Sequence, residues 1–560
     1  MLGAVLVCLM AGCSASNASG GSSSPPSATG TGDVTGHNGS GGSSSGSIGS
    51  GGSGGTPLPP ETEVESSYEV PVATGHYIWI ANPDSGRVAY VSGSTLDVHT
   101  VQAGNAPTYI SAIPSATDDA VVVLNVLSSD ATILRVTPAG QLAKATVSGV
   151  AAGANALAVS PGGRWVIAWT DARTVANASP LQGFQAVTVI DLAAATPRKT
   201  ILSVGFRPVA VAYAADESAA FAVTEDGVSV IDLSRAAGPQ VSANVALTDD
   251  PTENADTRDV SITASGRLAV VRREGSPTVE IVDLTTGTRG GIDLSAPVTD
   301  VDLTADSKTA VAVVRDTAEV AVIPLAGGIP AADAVQHLTV TGETIGSASI
   351  AADGKTVLLY TNAVATDRLI ILTLAATPTT RVVKLHAPVL AVFATPDGAN
   401  AVVFHSQSPP PPPTTHGDAG VDAGVASQKP ANAFSLVPLT ANLPAAIQET
   451  DVPPQALAVS PAGDRVLITE RDDVHQVYGV YIGQFPTLNI QHIGLASPPI
   501  AAGVLAGTNE GYVAQKNPEG RITFIALDTG QARTLTGFEI GARVVDWAQP
   551  GTTADGGARP

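Results

Sequence analysis

Short apolar runs separated by turn residues recur along most of this 560-residue chain at a regular spacing. The stretch ALAVSPGGRWVIAW (156–169) returns nearly unchanged as ALAVSPAGDRVLIT (456–469). Looser copies read VAVAYAADESAAFAVT (209–224), DVSITASGRLAVVR (259–272), DVDLTADSKTAVAVV (300–314), SASIAADGKTVLLYT (347–361) and LAVFATPDGANAVVFH (390–405). Weaker copies are YISAIPSATDDAVVVLN (109–125) and IAAGVLAGTNEGYVAQ (500–515). Each reads as two strands joined by a tight turn. Pro161 fixes φ at the second turn position, and Gly163 accepts the left-handed conformation at the fourth, as do Gly266, Gly354, Gly398 and Gly463 in other copies. Leu157 and Val159 point to one side of the incoming strand, and Ala156, Ala158 and Ser160 to the other. A strand apolar on both sides is expected between two neighbouring sheets. Turn residues every few positions argue against a buried helix.

A second phrase follows each hairpin: VTVIDL (187–192), VSVIDL (228–233), VEIVDL (279–284), VAVIPL (320–325), LIILTL (369–374) and ITFIAL (522–527). It reads as a third strand, with a short fourth strand after it. Asp191, Asp232 and Asp283 recur at its end, and repetition assigns them to turn capping rather than to chemistry. Units begin near 77, 105, 153, 206, 256, 297, 343, 387, 454 and 498, mostly about 41 to 54 residues apart. A period in the forties with strand content predicts an all-β fold, a β-propeller of four-stranded blades with about ten repeat units in a single ring. The first unit begins YIWIAN with no leading strand, whereas ARVVDWAQPG (542–551) has a strand with no blade after it. The C-terminal strand is therefore expected to complete the first blade and close the ring, removing exposed sheet edges.

With its Pro-Asp-Ser-Gly hairpin, YIWIANPDSGRVAYVSGSTLDVHTVQAG (77–104) resembles a YVTN-type β-propeller repeat. The resemblance covers nearly all of residues 77–548. It implies blades of about 40 residues and a bacterial secreted or surface protein, and it specifies architecture rather than chemistry. The tetrad itself is nowhere spelled out, Ile80-Ala81-Asn82 being nearest.

The N-terminal MLGAVLVCLMAGCSAS is too short an apolar run to span a bilayer as a helix. It resembles a bacterial lipoprotein signal, which implies cleavage before Cys13 and lipidation of that thiol. Cys8 would be removed, leaving one thiol and no internal disulfide. The expected organisation is a signal peptide at 1–12 and a Gly/Ser-rich tether at 13–66. The propeller follows at 67–549, with a proline-rich loop inserted at 406–431, and a tail at 550–560 ends the chain. The tether's Gly, Ser, Thr and Pro stretch from 14 to about 60 would have an r.m.s. span of roughly 35–40 Å as a flexible coil.

Fifty acidic residues against 28 basic ones give a formal charge of −22, with no basic stripe to displace counterions, so nucleic acid is excluded as a partner. In a four-stranded blade the connections between strands two and three, and between one blade and the next, open on one face. TDARTVANASPLQGFQ (170–185), the proline-rich loop, ERDDVHQVYG (470–479) and TDDPTENADTRD (248–259) all fall there. That face is the expected binding surface. Its candidate residues are Asp171, Arg173 and Phe184, then Asp249, Asp250, Glu253 and Asp256, and finally Arg471, Asp472, Asp473 and His475. The acidic group at 249–259 could ligate calcium or form a solvated turn. The nine His are scattered, and no zinc pattern, Gly-x-Ser-x-Gly elbow or phosphate-cradling loop is present, so no catalytic residue, metal or cofactor is assigned. The expectation is a monomeric, lipid-anchored, extracytoplasmic module. It would bind protein or glycan of the cell envelope, or act as a scaffold there, and would be held to the outer membrane of a Gram-negative-type bacterium through its lipid alone. The alternative is a propeller enzyme, a lactonase-like hydrolase or a quinone- or haem-linked oxidoreductase.

Overall fold

The recurring hairpin forms the first two strands of a four-stranded antiparallel sheet, and ten such sheets follow one another along the chain. The computed structural model describes residues 70–548, apart from 116, 195, 251, 407–431 and 441–442. The expected signal peptide, tether and tail, and all but the first residue of the proline-rich loop, lie outside these residues. Blades 1 to 10 span 72–102, 107–148, 156–203, 208–245, 258–293, 300–339, 347–384, 389–450, 454–494 and 499–548. In blade 3 the strands are Ala156–Val159, Trp165–Trp169, Ala186–Asp191 and Arg198–Ser203, paired in sequence order.

The alternation along the inner strand predicts its packing. Leu157 and Val159 join the hydrophobic cluster between blades 2 and 3, while Ala156 and Ala158 join the one between blades 3 and 4. Ten clusters of this kind exist, one at each interface, including one between blade 10 and blade 1. The core is thus a ring of sheet-on-sheet seams rather than one central mass. The hairpin turns are as read. Gly163 sits at φ 75°, and a Cβ there would come 2.0 Å from the Pro114 carbonyl oxygen of the preceding blade. The Ser160 hydroxyl accepts from the Trp165 amide at 2.9 Å, and Ser460 does the same for Arg465 at 3.0 Å. Asp191, Asp232 and Asp283 cap the turn that follows them, accepting from the amides of Ala193, Ser234 and Thr285 at 2.9–3.0 Å.

Ring closure differs from the expectation. Blade 1 has its own inner strand, Val72–Ala73, which pairs with Trp79 and Ile78. The C-terminal strand, Val544–Ala548, instead pairs with Ala532–Thr536 as a fifth, outermost strand of blade 10. Blades 1 and 10 are joined by packing: Ile78, Ile80 and Val91 meet Tyr512, Phe524 and Phe538. The Tyr512 hydroxyl donates to the Pro71 carbonyl at 3.4 Å, the Gly507 amide to Gly75 at 2.7 Å, and Arg533 to Gly93 at 3.2 Å. An outer-edge site lets the C-terminal strand cover an otherwise open edge, while the seam buries enough apolar surface to hold without a shared sheet.

Candidate functional site

Strand-two and strand-four ends share one face, and the connections 170–185 and 246–257 open there, whereas the link 325–335 between the third and fourth strands of blade 6 opens on the other. Blade 3 carries 170–185 between its second and third strands, and 246–257 leads from blade 4 to the inner strand of blade 5, Arg258–Ile262. Both are drawn down on the ring by arginines. Arg207 donates to the carbonyls of Gln182 (3.1 Å) and Ser179 (2.9 Å), and it faces Glu225 at 3.4 Å. Arg173 pairs with Asp171 at 2.7 Å and donates to the Val209 carbonyl of blade 4 at 3.0 Å. Asp171 raises the Arg173 pKa, with Asp256 adding to it, which places the two loops within electrostatic reach of each other. Phe184 is half-buried and holds φ 47°, and the chain on both sides of it is pinned: the Arg207 amide donates to Gly183 at 2.7 Å and the Val204 amide to Gln185 at 2.9 Å. A bulky residue keeps such a conformation only where its surroundings over-determine it.

The second loop is clamped harder. Arg258, buried, donates to the carbonyls of Thr224 and Glu225 at 2.8 and 2.7 Å and faces Glu253 at 3.3 Å. Arg273 reaches Glu253 at 3.1 Å, Glu280 at 2.6 Å and the Leu247 carbonyl at 2.7 Å. Burial works to raise the Glu253 pKa, but the Thr248 hydroxyl and the two arginines outweigh it and hold the carboxyl below its usual range. Asp249 faces Arg289 at 2.5 Å, and the Asp250 carboxylate accepts from the Thr252 hydroxyl at 2.6 Å, which lowers its pKa. Glu253 and Asp250 therefore serve the loop's own arrangement, and Asp249 ties it to the outer strand of blade 5. Among the described residues no group of three or more His, Cys, Asp or Glu side chains converges to hold a metal ion.

Arg471, Asp472, Asp473 and His475 are not brought to this platform; they sit on blade 9. Most of 470–479 is strand rather than loop, Arg465–Asp472 running into Val477–Gln484 through a four-residue turn. Asp472 caps that turn, accepting from the amides of Val474 and His475 and meeting His475 Nδ1 at 2.6 Å, while Arg471 pairs with Asp473 at 2.6 Å. Glu470 turns the other way, buried against His492 Nε2 (2.8 Å) and the Tyr481 hydroxyl (3.3 Å). Burial, with the Glu470 charge behind it, pushes the Tyr481 pKa up.

Two groups escaped the sequence reading. His405 Nδ1 donates to the Pro388 carbonyl (3.1 Å), leaving Nε2 to accept from the Ser435 hydroxyl at 2.7 Å. This resembles a base and a nucleophile, but both are buried, and burial lowers the His405 pKa. The same strand-two to strand-three staple recurs as Asn125 to Thr132 (2.9 Å) and Gln515 to Thr523 (2.6 Å), so its role is structural. The other is Asp300 and Asp302 on the inner strand of blade 6, Asp300–Leu303. Val301 and Leu303 pack toward blade 5, so alternation turns both carboxyls the other way, where Asp300 accepts from the Ala348 amide of blade 7 at 2.8 Å. Burial raises both, and burial plus the Asp300 charge brings Asp302 to about 7. Two acids at alternate positions of an apolar inner strand were the available signal.

No family model matches the chain, and no curated protein matches it by sequence. Solved structures similar to it include a dihydro-heme d1 dehydrogenase NirN in complex with DHE, 14% identical over 67% of this chain and 72% of that one, with a TM-score of 0.38. Hydrazine synthase of Kuenenia stuttgartiensis is 14% identical over 67% and 95% of the two chains, with a TM-score of 0.31. A eukaryotic initiation factor is 11% identical over 78% and 96%, with a TM-score of 0.45.

Proposed function

We propose that this chain is a lipid-anchored, extracytoplasmic β-propeller that binds a protein or glycan, or scaffolds an assembly, at the envelope of a Gram-negative-type bacterium. The observation that carries this reading is the platform over blades 3 to 5. Two long loops are held by Arg173, Arg207, Arg258 and Arg273 in one arrangement, and no regular fold requirement explains their length. Preorganised loops lose little entropy on binding, which favours affinity for a macromolecular surface. The anchor at Cys13 rests on the N-terminal sequence. Labelling with a palmitate analogue tests it: wild type incorporates label, Cys13→Ser does not, and equal labelling refutes the anchor. Affinity capture from detergent-solubilised envelope tests binding. Wild type retains a partner that Arg207→Ala loses; retention by both, or by neither, counts against the platform.

The enzyme reading has one observation in its favour. A carboxyl titrating at about 7 on an inner strand, as Asp302 does, suits general acid–base work. Turnover of a lactone or ester that Asp302→Asn abolishes would establish it.

A further inference from the structure

Exposed large apolar side chains are unevenly placed. Leu127 (79% exposed), Leu181 (91%) and Val474 (85%) each sit at the tip of a strand-two to strand-three connection, in blades 2, 3 and 9. Ile540 (67%) lies in the short 3-10 turn Phe538–Ile540 that follows the fourth strand of blade 10, and so at the same face. The adjoining Glu539 confirms that placement, since its amide donates to the Glu519 carbonyl in the second connection of blade 10. Blades 9, 10, 1, 2 and 3 are consecutive around the ring, and the middle one, blade 1, is where the chain arrives. Its inner strand runs antiparallel to Tyr77–Asn82, so the chain reaches Val72 from the face on which Tyr77–Asn82 ends. Val70, the first described residue, is itself 48% exposed. Val364 is a further apolar tip on this face, in blade 7, whereas on the opposite face only Leu443 is so exposed among the described residues.

Separate tips on four of five consecutive blades do not make a pocket or a single patch, so a compact protein partner could cover only some of them. A bilayer interface accepts all of them, since each tip needs only a few ångströms of insertion. The flanking residues agree. Leu127 is followed by Ser128 and Ser129, and Leu181 stands between Pro180 and Gln182. Arg471, close to Val474 in sequence, is already paired with Asp473, and Lys516 lies within electrostatic reach of the same carboxylate. With a formal charge of −22 and no cationic cluster at the tips, attraction to anionic headgroups is not the driving force.

We propose that the arc of blades 9-10-1-2-3 docks on a zwitterionic phospholipid surface by inserting Leu127, Leu181, Val474 and Ile540. Leu181 tips the blade 3 loop and so stands at the edge of the platform over blades 3 to 5; the rest of that platform, the 246–257 loop over blades 4 and 5, lies farther round the ring and stays clear for a partner. This goes beyond tethering by the lipid at Cys13 and does not depend on it. The test accordingly uses the full chain carrying Cys13→Ser, with vesicles of phosphatidylcholine and phosphatidylethanolamine. Flotation is expected to show salt-insensitive binding that the added set Leu127→Asp, Leu181→Asp and Val474→Asp weakens at least tenfold, while Leu443→Asp changes it less than twofold. Binding restricted to anionic vesicles, binding abolished by salt, or partition unaltered by the tip substitutions would each overturn the proposal. So would loss of a protein cross-link in the tip variant with its vesicle partition intact. A polarity-sensitive label avoids any folding defect of the triple variant: placed in turn at Leu181→Cys and Leu443→Cys, in a background with Cys8→Ser and Cys13→Ser, it shifts to the blue on vesicles only at position 181. A shift at both positions, or at neither, contradicts the docking.

Discussion

Asp302→Asn is expected to stabilise the protein, and to do so more as pH rises. The carboxyl is largely buried on the inner strand of blade 6, beside Asp300, and titrates at about 7 against an ordinary 3.8. Between those values the folded state holds a proton that the unfolded chain has lost. Linkage then makes stability fall as pH rises from 3.8 to 7, and the loss is complete above the folded value. At ~1.4 kcal/mol per pH unit the upper limit is ~4 kcal/mol at pH 8, ~2 kcal/mol at pH 5 and near zero at pH 3. Partial exposure and sharing of the proton with Asp300 reduce these values without changing their order. Asparagine matches the protonated acid in shape and cannot ionise. Urea midpoints of wild type and variant at pH 3.5, 5 and 8, with m unchanged, read the difference directly. A variant no more stable than wild type at pH 8, or an advantage that grows toward acid, would show that Asp302 is solvated and ordinary.

Glu253→Gln is expected to cost about 2–4 kcal/mol at pH 7, because Arg258 and Arg273 lose the carboxylate they share. Since the folded pKa of Glu253 lies below its ordinary value, its contribution is present above about pH 4.5 and disappears as pH falls through the folded value, so the two proteins converge in acid denaturation. Ending the chain after Gly541 removes the fifth strand of blade 10, with Val545 and the Arg543–Asp97 pair, but leaves the fully buried residues of the seam between blades 1 and 10, so thermal unfolding stays cooperative with a melting temperature only a few degrees lower. Phe524→Ala, within that seam, is expected to cost about 3–5 kcal/mol in the same measurement.

Most of the fold was legible because each blade repeats one local pattern. The split of Leu157 and Val159 from Ala156 and Ala158 reappears as two separate clusters, and the turn-capping aspartates behave as their repetition implied. Closure was not legible. Strand content in 542–551 says that a strand forms, not which edge it joins, and a two-residue inner strand at Val72 is too short to leave a pattern. The candidate site was legible in part. Loop length marked 170–185 and 248–259, but proximity in sequence made one group of Arg471 to His475, which the local turn consumes. The clamp that orders the platform joins Glu253 to arginines 5 and 20 residues away, a spacing with no periodic or motif signature.

Site-specific photo-crosslinking in intact cells tests the binding platform most directly, with the reactive residue placed in turn at Phe184, at Asp226 and at Ser218 in the opposite face's hairpin turn. A discrete cross-linked species is expected from Phe184 and Asp226, lost with Arg207→Ala, and none from Ser218. Cross-links from Ser218 alone, or from all three sites alike, would contradict it.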